Sequence, residues 1–220
     1  MFSSESCEKM ADFASWSMNG GSGHHVLRIR TLRFRCNVIF IPGMDIAAHA
    51  LYGATVCSRT GLAGGFRRRS GAMPRSWTAD WTVWCAALFG ILPDIVSLGI
   101  PALPYWLAGT PVEFFRHVGP EVIVVYRYMH SLVVALFFVG LIRLAWPPVF
   151  VPSLAWVLHV CMDAFMHGTG TFQTTLFYPF YTWAPDGIRW WEHPNLVLTY
   201  WLLLPLAWCC IAILRRRNRG

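Results

Sequence analysis

Four apolar runs, each long enough to cross a lipid bilayer, leave this chain few ways to fold. A membrane span needs about 20 residues, within a range of roughly 17–25. The runs are approximately Trp81–Ile100, Met129–Trp146, Val151–His167 and Leu196–Leu214. Hydrocarbon offers no water to backbone N–H and C=O groups, so runs of this kind cross it as helices. A fifth segment, Met44–Ser58, is 15 residues long and falls short of a ~30 Å core. It reads as a short, tilted or re-entrant helix. The expected fold is therefore all-α: a polytopic membrane helical bundle of four transmembrane helices plus a short N-terminal helix. Composition agrees, with 55% hydrophobic and 13% charged residues, against about 25% charged in soluble domains.

Arginine placement orients the bundle. The linker over 59–80 carries Arg59, Arg67, Arg68, Arg69 and Arg75, and the tail carries Arg215, Arg216, Arg217 and Arg219. Four spans separate the two regions, so they share one side, and by the positive-inside rule that side is the cytoplasm. The opposite segments, 101–128 and 168–195, hold only Arg116, Arg127 and Arg189. The expected location is the inner (plasma) membrane, multi-pass, with a cytoplasmic C-terminus. The partners are the bilayer and a lipid or lipid-linked substrate, with no nucleic acid. The seven cysteines form no CxxC pair, which argues against a disulfide framework or a cysteine-rich zinc site. Residues 1–43, Ser/Gly-rich at first, read as a flexible or non-native extension, with Met44 the expected native start. Residues 44–214 read as the membrane-embedded domain and 215–220 as a basic cytoplasmic tail.

Ionisable residues inside apolar segments are expensive and are by default candidates for function. Here they are His49, Asp94, His130, His159 and Asp163. His159 and Asp163, spaced i and i+4, share one helix face and form half of a metal site. His167 lies two turns beyond His159, rotated by only ~80°, and can reach the same mouth. Pro93 perturbs the helix just before Asp94. With the inferred topology these residues arrive at similar depth, in the outer half of the bilayer. Together they predict one polar site open to the periplasm or exterior. Two His and two Asp suit zinc, manganese or ferrous iron. Arg127, three residues before His130, is placed to hold a phosphate or carboxylate. Rival uses of the same residues are a b-type haem held by His130 and His159, and a proton pathway or transporter.

The order of these residues resembles the YdjM-like predicted membrane-bound metal-dependent hydrolases. The motifs are His49 with Gly53, Leu92-Pro93-Asp94, Arg127-Tyr-Met-His130-Ser131, His159-Val-Cys-Met-Asp163 and Phe177-Tyr178-Pro179-Phe180. They cover about residues 44–182. That family is distantly similar to the zinc-dependent phospholipase C and S1/P1 nuclease group. The resemblance implies one metal site from Asp94, His130, His159 and Asp163, and part of a second from His49 with a shared Asp163. The later His-x-x-x-Glu pair of that group is absent after His167, which puts a trinuclear cluster and phosphodiesterase activity in doubt. The expected function is hydrolysis of an ester or phosphoester by metal-activated water, with His49, His167 and Arg127 as catalytic residues.

Overall fold

A computed structural model describes residues 40–65 and 77–217. The early extension, the Arg67–Arg69 cluster, Arg75 and the last residues of the tail fall outside the described residues. Among the described residues the regular structure is entirely helical. The elements are α1 (Phe40–Cys57), α2 (Leu62–Gly65), α3 (Trp81–Asp94), α4 (Ile100–Leu107), α5 (Pro111–Arg116), α6 (Pro120–Met129), α7 (Leu132–Ala145), α8 (Phe150–Met166) and α9 (Pro194–Arg217). A π-helical turn, Ile95–Gly99, joins α3 to α4.

Asp80 starts α3 and ties it to the end of α1. Its Oδ1 accepts from the Thr82 N–H at 3.1 Å and the Thr82 hydroxyl at 2.7 Å. Its Oδ2 accepts from the Thr60 N–H at 3.0 Å, and the Arg59 guanidinium stands 3.3 Å from Oδ1. An aspartate at this position satisfies helix N–H groups that have no partner within the helix. Burial alone would raise the Asp80 carboxyl. The hydrogen bonds from Thr82 and Thr60 and the charge of Arg59 outweigh it and hold the group below the usual carboxylate range.

Helices α1 and α3 then pack backbone to backbone. A methyl group on Gly53 would lie 2.7 Å from the Ala86 carbonyl oxygen, and one on Gly90 would lie 2.5 Å from the His49 carbonyl oxygen. Neither contact allows a side chain. Small residues at such crossings let apolar helices approach closely where no hydrophobic force separates protein from lipid. Cys57, Ala86 and Ala155 fill the seam with α8, while Ala135, Trp156 and Val160 fill the seam between α7 and α8. The span that contains α8 is 44% buried and that of α9 only 11%, so α8 is central and α9 peripheral.

Three helices are long and apolar enough to cross a membrane: Trp81–Leu107, Pro147–Met166 and Asn195–Arg215. A fourth crossing requires α6 and α7 together, and these are bent by 55° at their junction. No single helix covers the span expected over Met129–Trp146, because α7 alone has 14 residues and a crossing there takes in α6 as well. The first span is longer than expected, running through the π turn to Leu107. The expected loop over 101–128 is largely helical. Pro101, Pro111 and Pro120 occupy first-turn positions of α4, α5 and α6. A first-turn proline gives up an N–H that has no helical acceptor, so it costs little there.

Gly90→Ala is expected to push α1 from α3 and destabilise the fold by ~1–3 kcal/mol, read as a lowered unfolding midpoint in detergent. The Asp80 carboxyl is depressed in the folded state. Its contribution to stability is thus present above the unfolded-state value of about 3.9 and lost as pH falls through the lower folded value. Asp80→Asn should lose that acid-side dependence, as followed by thermal unfolding between neutral and acidic pH.

Candidate metal centre

Each candidate ligand is delivered by a different local device. Asp94 ends α3 immediately before the π turn, a feature often found at functional sites. His130 occupies the break between α6 and α7, where Ser131 caps α7 through its contact with the Val134 N–H at 3.4 Å. The Ser131 hydroxyl also donates to the Tyr178 carbonyl at 2.6 Å, and the Leu132 N–H donates to the Leu176 carbonyl at 2.9 Å. The 176–178 segment thus satisfies backbone groups that the break exposes. His159 and Asp163 come from one face of α8.

These four side chains converge. His130 Nε2 stands 3.1 Å from His159 Nε2, 3.3 Å from Asp94 Oδ1 and 3.2 Å from Asp163 Oδ2. His159 Nε2 stands 3.3 Å from Asp163 Oδ2 and 3.8 Å from Asp94 Oδ1. One donor atom from each residue lies within 4.8 Å of all the others, so the group could hold a metal ion. His130 is fully buried, with the Tyr126 ring of α6 stacked on it at 3.9 Å.

The far nitrogens set the chemistry of the near ones. His130 Nδ1 lies 3.0 Å from the Tyr126 carbonyl, and His159 Nδ1 lies 2.7 Å from the Gly90 carbonyl. A carbonyl only accepts, so each Nδ1 carries the proton and donates it. In the neutral rings both Nε2 atoms are then left with lone pairs. Two such nitrogens 3.1 Å apart, facing two carboxylates, all present electron density to one point. That donor set fits a cation, and the backbone bonds orient the rings as the outer partners of metal-bound histidines do.

His49 joins from α1. Its Nε2 lies 3.0 Å from Asp163 Oδ1, and its ring sits 4.0 Å from that of His159. His167, capping the end of α8, lies 3.6 Å from Asp45 Oδ2 through Nε2 and 3.4 Å from the Tyr126 hydroxyl through Nδ1. The structure thus brings together Asp94, His130, His159, Asp163, His49 and His167. Among the described residues Arg127 makes no ion pair with these carboxylates, and its buried Nε has no hydrogen-bond partner. His117 and His193 are exposed outside the cluster. The rim is open at Asp45, His167 and Asp94, whose side chains are 21%, 17% and 13% exposed, while the other four side chains are at most 2% exposed.

Two participants were not read from the sequence. Asp45 lies 3.4 Å from His49, and its signal was the same four-residue spacing that singled out His159 and Asp163. Tyr126 had no such signal. Its place is set by stacking on His130 and by donation from its hydroxyl to the Phe172 carbonyl at 2.9 Å.

No family model matches the chain, and no curated protein or solved structure matches it. The fold and site therefore define it as an all-helical, membrane-compatible chain with a buried His/Asp cluster able to hold a metal ion.

Proposed function

We propose that this chain is an integral membrane metal-dependent hydrolase of the YdjM-like kind, cleaving an ester or phosphoester in a lipid or lipid-linked substrate. The observation that carries the reading is the donor set itself. Two imidazoles have their Nδ1 protons committed to backbone carbonyls, and their Nε2 atoms approach each other and the two carboxylates at 3.1–3.8 Å, with all four donors within 4.8 Å of one another. Donors at about 2.0 Å around a tetrahedral zinc ion stand ~3.3 Å from one another, and zinc is the ion this reading assigns. Nitrogen and oxygen donors without thiolate favour a catalytic site over a closed structural one.

A bound zinc ion supplies Lewis acidity and a water whose pKa is lowered to about 7. The residues do the rest. Asp94, His130, His159 and Asp163 hold the ion, and the backbone acceptors at Tyr126 and Gly90 keep both rings turned inward. His49 and His167 stand beside it to complete the site or carry protons. Arg127, with its unpartnered buried Nε, positions the substrate anion. The haem reading is disfavoured by the 3.1 Å gap between His130 and His159, which leaves no room for a macrocycle. In the proposed orientation the arginine-rich segments face the cytoplasm of an inner membrane and the site opens outward.

Elemental analysis of detergent-purified full chain, prepared without chelators, tests this reading. Wild type should carry stoichiometric zinc, and His159→Ala should weaken zinc binding by more than about a hundredfold, since even outer partners cost 10–100-fold. The wild type should also hydrolyse phospholipid or phosphodiester probes. A chain free of metal would sink the proposal and favour a proton pathway through Asp94 and Asp163.

A further inference from the structure

Away from the metal centre, the end of α1 and the start of α3 hold a second polar group, built around Arg59. Asp80, fully buried, stands 3.3 Å from its guanidinium. The Trp81 ring faces it, with 5.7 Å between the guanidinium carbon and the ring centroid, a cation–π contact. The Arg59 N–H donates to the Thr82 hydroxyl oxygen at 2.9 Å. An arginine held by its backbone, an ion pair and a ring has already lost much of the freedom that a mobile surface arginine gives up on binding. Its side chain is nevertheless 53% exposed. Among the described residues Asp80 is the guanidinium's one hydrogen-bond acceptor, so other N–H groups of the planar fork are open to a ligand.

Trp81, Trp84 and Leu88 continue from this guanidinium along α3. Their i, i+3, i+7 spacing puts them on one stripe of the helix, and all three are exposed. Helix α3 belongs to a span long and apolar enough to cross a membrane, so an exposed apolar stripe there meets acyl chains. The Trp84 indole N–H donates to the Thr78 carbonyl at 2.9 Å. That bond draws the ring toward the mouth of the helix, the depth that tryptophans of the headgroup layer occupy. We propose that Arg59, Trp81, Trp84 and Leu88 bind one anionic phospholipid, with its phosphate on the Arg59 fork and an acyl chain along the α3 stripe.

Shape and charge both favour this occupant. A guanidinium fork matches two oxygens of a phosphate. The charged donor and the apolar stripe adjoin, as the head and tail of a phospholipid do, whereas a free phosphate would use only the first. Charge selects the headgroup. The segment over 59–80 contains five arginines and one acid, Asp80, and that acid is buried beside Arg59. The excess of positive charge attracts an anionic headgroup, by about 1 kcal/mol per basic residue near an anionic surface, and repels the ammonium of a choline headgroup. Helix α3 begins at this site and ends at Asp94, so the lipid site stands or falls independently of the metal centre.

Native mass spectrometry of the full chain in detergent, titrated with phosphatidylglycerol, phosphatidylcholine or inorganic phosphate, tests this. Wild type should retain one phosphatidylglycerol about tenfold more tightly than phosphatidylcholine, and an equal concentration of inorganic phosphate should not displace it. Arg59→Lys keeps a charge beside Asp80 but loses the planar fork. It should weaken phosphatidylglycerol binding about tenfold, the loss expected for one charge-assisted hydrogen bond. Replacing Arg67, Arg68 and Arg69 together by serine should weaken it less. Equal retention of the two phospholipids by wild type overturns the proposal without reference to any variant's folding. Displacement by inorganic phosphate, or unchanged binding in Arg59→Lys, overturns it as well. If the triple variant loses the headgroup preference and Arg59→Lys keeps it, diffuse charge holds the lipid and the site is wrong. His159→Ala should bind the lipid as wild type does, so a failure of the metal reading leaves this result standing.

Discussion

Asp163 lies on the most buried membrane-compatible span, with its side chain 2% exposed. Among the described residues no lysine or arginine pairs with it. A carboxylate in such a place costs several kcal/mol unless opposite charge or hydrogen bonds meet it. Here the groups that face it are imidazoles from three separate stretches of chain: His49 from α1, His130 from the α6–α7 break and His159 from its own helix. The surrounding backbone is arranged so that these rings can arrive. Whatever stabilises this one side chain also fixes how α1, α3, α7 and α8 sit against each other.

The irregularities of the bundle make sense in those terms. In hydrocarbon, non-helical backbone is tolerated only where protein or a polar cavity surrounds it. The break at His130 is closed by Leu176 and Tyr178, whose carbonyls take the N–H and O–H groups that α7 leaves open. The π turn after Asp94 lets one helix run on past Pro101 to Leu107. Gly90 on α3 faces two neighbours: its missing side chain lets α1 approach closely at His49, and its carbonyl takes the His159 proton from α8.

Much of this was legible in the sequence, for reasons that differ by residue. His159 and Asp163 were readable because both lie on one helix and periodicity is a local property. Asp94 and His130 were readable because ionisable groups in apolar runs are rare enough to notice. Asp45 was overlooked although its four-residue spacing to His49 matches that of His159 to Asp163. Arg127 was readable as an arginine three residues before His130, yet its neighbour Tyr126 is the residue that touches the cluster. The continuation of α3 into α4 and the 55° bend were not legible, since prolines act through the exact turn they occupy.

By itself the sequence determined the helical class, the apolar lengths and the set of polar residues that cannot face lipid. Those follow from hydropathy and period, which need only neighbours in the chain. The tertiary structure alone decided which oxygen meets which nitrogen. It turned Asp163 so that its two oxygens serve different histidines and drew Asp45 and His167 to the rim. The donors come from separate segments, and their separations are set by how closely helix backbones pack. A glycine at the crossing and a broken helix at His130 control that distance, and neither effect can be measured along a single strand of sequence.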